Sequence, residues 1–271
     1  MNALVSRVLI AVPLLIVAVY AVYVGGWVMT AVAVVTAVIA VHELYVMTRE
    51  FRPLIPAGMV GVILIPIAIH RGGLEWATAP LFLVLLLAFW LSAVGDVRQR
   101  AVVQLAVTLL GVVWIGLGLG LLVAIRDIPG PGQWGRVLLL AVFLGVWLSD
   151  TAAYLFGRMF GRRRLAGQIS PNKTVEGLVA GLVCGFLAVF FTVYKQPSGM
   201  PLSPIHAIEF ALAITFAGPI GDLFESYLKR DMGVKDTGRI LGGHGGVLDR
   251  IDALLFAGAA AYFVALAIGR V

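Results

Sequence analysis

The chain has 271 residues, of which 61% are hydrophobic and only 13% charged, and its mean hydropathy is +1.02. Soluble domains lie nearer half apolar and a quarter charged, and several runs here approach the roughly 18–20 apolar residues that cross a bilayer, so a water-soluble fold is excluded. The net charge of +6 suits a cytoplasmic-loop bias and attraction to anionic lipid or nucleotide phosphates. Nucleic acid is not expected as a partner, because the basic residues are scattered over short loops.

Nine apolar segments can be marked, at about 8–24, 27–45, 57–70, 75–94, 102–125, 137–156, 175–194, 205–223 and 251–269. The first follows Arg7 in the manner of a signal peptide, but it is long and lacks a clear small-x-small cleavage site, so it reads as a retained span. Gly25-Gly26 separates the first two segments, and Pro53 and Pro56 close the loop after the second. His42-Glu43, late in the second span, reads as an interhelix polar contact or an interfacial anchor, because unpaired charge is costly in lipid. The third segment is short and contains Pro66, and Ile128 to Gly132 is a turn by its Pro-Gly content. Cys184, the single cysteine, excludes an intramolecular disulfide and reads as a small packing residue.

The expected fold is thus all-α: one integral membrane domain over 1–271 with about nine transmembrane helices. Residues 1–135 would serve as scaffold helices, and 136–271 would hold the catalytic helices and loops. With the N-terminus cytoplasmic and the C-terminus outside, fifteen of the twenty lysines and arginines fall on the inner side and five on the outer, as the positive-inside rule requires. Both long polar loops then face the cytoplasm.

The character of the sequence changes at Trp147. Asp150 lies inside a span, four residues before Tyr154 and so on the same helix face. An ionisable group at membrane depth is a functional candidate, although a helix-linking pair with an arginine would explain it too. Arg162-Arg163-Arg164 suits a positive-inside anchor. Ser170 to Thr174 reads as a helix start capped by Ser or Thr with Glu176 near the new N-terminus, and such a start with Lys173 could hold phosphate.

The most polar stretch is Ser226 to Asp252, preceded by Asp222 and Glu225 at the end of an apolar run. If the eighth helix continues past the membrane boundary, Asp222, Ser226 and Arg230 share one face, with Glu225 and Lys229 as a neighbouring pair. Asp222 and Asp249 stand at two membrane entrances, which suggests a shared hard cation, and oxygen ligands point to magnesium. Gly242 to Gly246 lets backbone approach a ligand and offers an anion nest around His244. Lys235, Arg239 and Arg250 flank it. These features suit phosphoryl or nucleotidyl transfer, where positioning and cations do most of the work.

Ser226, Lys229-Arg230, Lys235-Asp236, Gly238, His244-Gly245-Gly246 and Asp249-Arg250-Ile251-Asp252 resemble the signature of the phosphatidate cytidylyltransferases, also called CDP-diacylglycerol synthases. Ser149 to Tyr154, Gly157-Arg158 and Ser170 to Gly177 are similar to further blocks of that family, so the likeness covers about residues 147–253. Gly242 departs from it, since many members carry proline there. The resemblance implies transfer from CTP to phosphatidate, giving CDP-diacylglycerol and pyrophosphate, at the bacterial inner membrane. It implies Mg²⁺, with K⁺ as a candidate second cation, and a homodimer.

By positional match, Asp222 and Asp249 would be the metal ligands. Lys229, Arg230, Lys235 and Arg239 would bind phosphates, with Asp236 organising them. Ser226, His244, Gly245, Gly246 and Arg250 would line the substrate site, with Asp150, Lys173 and Glu176 as further candidates from the upstream blocks. A cation-coupled transporter built on Asp150, Asp222 and Asp249 is the competing class, and an enzyme acting on an isoprenoid-type lipid, by cytidylyl transfer or as a kinase, is the nearer alternative.

Overall fold

The computed structural model describes residues 3–94, 101–130, 132–167, 169–194, 202–238 and 245–269. It is helical almost throughout: α1 (Ala3–Val24), α2 (Gly26–Met47), α3 (Ile55–Gly72), α4 (Thr78–Val94), α5 (Ala101–Gly111), α6 (Gly118–Asp127), α7 (Trp134–Phe160), α8 (Val175–Tyr194), α9 (Pro204–Asp231) and α10 (Leu248–Ala267). Backbone polar groups have no water to bond inside a bilayer, so helices that satisfy them internally are the expected solution. Among the described residues, eight helical stretches are long and apolar enough to cross a membrane, and α1 carries a shorter apolar stretch, Val12–Val24. The chain is an all-α polytopic membrane protein.

The nine apolar segments all fall on helices, and the differences lie at their ends. The short third segment becomes the 18-residue α3, begun by Pro56 in its first turn and stopped by Gly73 at φ 79°. The fifth becomes α5 and α6 joined through a π-helical turn over Val112–Leu117. The eighth extends to Asp231, with Ser203 capping its start by accepting from the His206 amide at 3.3 Å. Ser170 to Thr174 is not a helix start but a strand, β2 (Ser170–Thr174), paired antiparallel with β1 (Arg164–Ala166). The cap itself is Thr174, whose Oγ1 accepts from the Gly177 amide at 3.1 Å.

The chain forms two compact units. The first comprises Met1–Ala124 and Val234–Arg250, and the second Ile125–Gly233 and Ile251–Val271. The polar segment after α9 therefore belongs with the N-terminal helices.

In the first unit, α2, α3 and α5 meet around Tyr45, which is 1% exposed. Its hydroxyl donates to the Thr108 carbonyl at 2.7 Å, and the Leu54 amide donates to Thr108 Oγ1 at 2.8 Å, which fastens the start of α3 to α5. Gly58 and Gly111 make room for the ring, since a Cβ at either would strike it. The π-helical turn packs on α3 through Gly116, which lies against the Val62 backbone.

In the second unit, α7 and α8 run together along small residues. Gly177, Gly181 and Gly185 recur every four residues on one face of α8. A Cβ at any of them would meet the α7 backbone carbonyl of Ala153, Ser149 or Gly145 at 3.0 Å or less. Lipid tails are as apolar as leucine, so such close backbone approach replaces the hydrophobic drive between membrane helices.

Candidate active site

The second unit gathers charge at the end of α9. Helical spacing puts Asp222, Ser226 and Arg230 on one face and Glu225 and Lys229 beside them, as the unbroken helix through Asp231 allows. Glu225 is 1% exposed, and Lys229 Nζ lies 2.5 Å from its Oε2. Asp222 is half-buried: its Oδ2 lies 2.5 Å from Lys173 Nζ, and its Oδ1 accepts from Ser226 Oγ at 3.5 Å. Asp252, on α10 and 8% exposed, stands near the carboxyl groups of Glu225 and Asp222. Gly221 allows this approach, because a Cβ there would strike the Asp252 carbonyl. Three carboxylates and two lysines thus form one cluster.

The β-hairpin brings Lys173 to this cluster. It is held to α9 a second time by Arg230, whose Nε donates to the Ile169 carbonyl at 3.3 Å. Glu176 works on the hairpin's other end, where its Oε2 accepts from the Arg162 and Arg163 amides at 3.0 and 3.2 Å. Asp150 lies on an exposed face of α7, in a narrow crevice lined by Ser149, Thr215, Gly218 and Pro219. Tyr154, one turn on, accepts from Arg158 at 3.4 Å.

The first unit holds the other part of the signature. Asp249, in the first turn of α10, collects three donors on one oxygen: the Gly246 amide at 2.7 Å, the Thr237 amide at 3.0 Å and Thr237 Oγ1 at 2.9 Å. The bond to Gly246 reaches back from the first turn of α10 to the backbone just before the helix. Gly245 takes φ 77°, and a Cβ there would strike Asp249 Oδ2. Lys235, Asp236 and Arg250 are exposed beside this turn. Arg239, Gly242, Gly243 and His244 lie outside the described residues.

Two participants lie outside the candidate site residues read from the sequence. Thr237 lies between two signature positions and is 6% exposed. Glu43, read only as a polar contact, is 3% exposed and accepts from the Val247 and Leu248 amides at 3.0 and 2.9 Å. The interhelix contact holds, and its partner is the start of α10. The only local signal for it was a carboxylate inside an apolar helix.

Among the described residues, no group of three or more His, Cys, Asp or Glu side chains is arranged to hold a metal by itself. Oxygen donors in small number fit Mg²⁺, which usually takes one or two carboxylates and leaves its other positions to water and substrate phosphates.

Helices ending in clustered lysines, arginines and carboxylates define a membrane protein equipped for a phosphate-bearing ligand. The chain belongs to the cytidylyltransferase family, whose profile matches residues 5–268. It is 35% identical over 235 residues to the phosphatidate cytidylyltransferase of Staphylococcus aureus (strain COL), covering 86% of this chain and 87% of that protein. It is 31% identical over 267 residues to that of Bacillus subtilis (strain 168), covering 96% of each. A third, from Staphylococcus saprophyticus, is 40% identical over 151 residues, 56% of this chain and 55% of its own length.

Proposed function

We infer that this chain is a phosphatidate cytidylyltransferase. A phosphate oxygen of phosphatidate attacks the α-phosphorus of CTP, the bond from that phosphorus to the bridging oxygen breaks, and CDP-diacylglycerol and pyrophosphate result. The observation that carries this reading is the family match along almost the whole chain, 5–268, joined to relatives of that name at nearly full length.

The nucleophile is already an anion on the lipid, so no protein nucleophile is required. The protein's part is to orient two anionic substrates and to offset charge as it builds on the departing pyrophosphate. Lys173, Lys229, Arg230, Lys235 and Arg239 supply donors for phosphate oxygens, with Asp236, Ser226, His244, Gly245, Gly246 and Arg250 shaping their surroundings. Asp222 and Asp249 are the assigned ligands of Mg²⁺, with K⁺ as the second cation. These two carboxylates would hold the ion, which would supply neutralisation of the charge that builds on the departing pyrophosphate. The ion pair of Asp222 with Lys173 supports its part, since that carboxylate already attracts a cation.

The distribution of lysine and arginine supports a cytoplasmic N-terminus, an outer C-terminus and chemistry at the cytoplasmic face. The bacterial relatives support the plasma membrane as its location. CTP then arrives from the cytosol and phosphatidate laterally from the bilayer. We carry the homodimer implied by the resemblance as part of this reading, to be read from the mass of the detergent-solubilised particle.

The test is turnover by purified protein in detergent, given phosphatidate, α-labelled CTP and Mg²⁺, with ATP as control and EDTA as blank. Label entering the lipid fraction with stoichiometric pyrophosphate is the expected result. No transfer to phosphatidate by folded protein would overturn the reading, and transfer to an isoprenoid-chain phosphate instead would redirect it.

A further inference from the structure

We propose that Glu43 is a positioning residue for the transfer reaction: its buried carboxylate holds the turn at 245–248 and so sets where Asp249 stands. The inference rests on the reading of Asp249 as a site residue. Glu43 lies on α2, about two hundred residues away in sequence, and nothing in the chemistry of CTP or phosphatidate calls for it.

The geometry does. Glu43 Oε1 accepts from the Val247 amide at 3.0 Å and Oε2 from the Leu248 amide at 2.9 Å. These amides open α10 (Leu248–Ala267), where backbone N–H groups have no partner inside the helix. A carboxylate there also sits at the positive end of the helix dipole.

The same two oxygens are walled by glycines of the signature. A Cβ on Gly238 would strike Glu43 Oε1, and one on Gly246 would strike Oε2 and Thr237 Oγ1. Gly246 in turn donates to Asp249 Oδ2 at 2.7 Å, and Thr237 donates to the same oxygen twice. Glu43 and Asp249 therefore hold one short piece of backbone at adjacent points, at Val247–Leu248 and at Gly246.

A merely adhesive contact between two helices would need neither the paired acceptors nor glycines on both flanks. The arrangement also gives Gly238 and Gly246 a reason independent of phosphate binding: they leave space for the Glu43 carboxylate.

The test combines hydrogen exchange without Mg²⁺ and steady-state kinetics with it, on the full chain in detergent. In Glu43→Gln one oxygen becomes an amide nitrogen facing a backbone N–H. The peptide covering 245–250 should exchange at least about tenfold faster while peptides of α7 and α8 keep their protection, and kcat should fall roughly 10–100-fold, the scale for groups that orient a metal ligand. KM for phosphatidate should stay near its wild-type value.

Gly246→Ala presses on the carboxylate without removing any hydrogen-bonding group and should give the same phenotype. The double variant should be little worse than either single one, as expected of residues acting through one contact. Unchanged exchange at 245–250 in both variants, or faster exchange with wild-type kcat, overturns the proposal. Faster exchange and lower kcat with an unshifted half-saturating Mg²⁺ concentration would support positioning by Glu43 while removing the metal role of Asp249.

Discussion

The two units bury carboxylates in different ways. In the first, Glu43 and Asp249 are satisfied chiefly by backbone amides and one threonine hydroxyl, partners that cannot leave without unfolding a turn. In the second, Asp222 and Glu225 are paired with the side chains of Lys173 and Lys229, and Asp252 stands near both carboxylates. Lysine is a point charge on a flexible stem, so its partner can be exchanged for a metal ion or its ammonium lent to a phosphate. The difference separates carboxylates held by backbone amides from carboxylates held by movable side chains.

The sharpest way to break this distinction is to neutralise one aspartate in each unit. Asp222→Asn and Asp249→Asn should each lower CTP-dependent product by roughly 10²–10³-fold or more, the range seen when a key electrostatic group is lost. Size exclusion should still report folded protein. Near-normal labelled-lipid formation in both would remove the two-aspartate assignment. Removing Mg²⁺ with EDTA should abolish turnover yet leave the exchange protection of 245–250 in place, because backbone partners hold that turn.

Stability separates the units next. Glu225→Ala takes that carboxylate from the buried Lys229 ammonium and should cost about 3–5 kcal/mol, read as a fall in Tm. The double variant with Lys229→Met should recover part of that loss while remaining inactive. Tyr45→Phe, in the first unit, removes a single neutral hydrogen bond to Thr108 and should cost only about 1 kcal/mol, with turnover retained. A larger loss of activity there would mean that the α2 end matters to the reaction beyond Glu43.

Much of this was legible in the chain before any coordinates. Apolar length alone marked the helices, because a bilayer imposes one dimension on all of them. The i, i+4 spacing correctly put Glu225 with Lys229, since both lie on one unbroken helix.

The β-hairpin was not legible. Ser-Pro-Asn-Lys-Thr has little strand propensity of its own, and it is extended because Arg164 to Ala166 pairs with it. Nor was the partner of Glu43 readable, because a contact between residues 43 and 247 leaves no local periodicity. The grouping of 234–250 with the N-terminal helices leaves no local signal for the same reason: it is made by contacts distant in sequence.

The π-helical turn at Val112–Leu117 carries a consequence for chain length. A π turn holds one residue more than a regular helix needs over the same rise, and such turns occur mostly as local bulges inside α-helices. Deleting one residue there would let the hydrogen-bonding revert to the α pattern while α5 and α6 keep their facing, whereas the same deletion in α7 or α8 would rotate every later residue by about 100°, the angle set by 3.6 residues per turn. Gaps between homologous genes are therefore expected to collect in this span at Val112–Leu117, and to be absent from the glycine seam of α7 and α8.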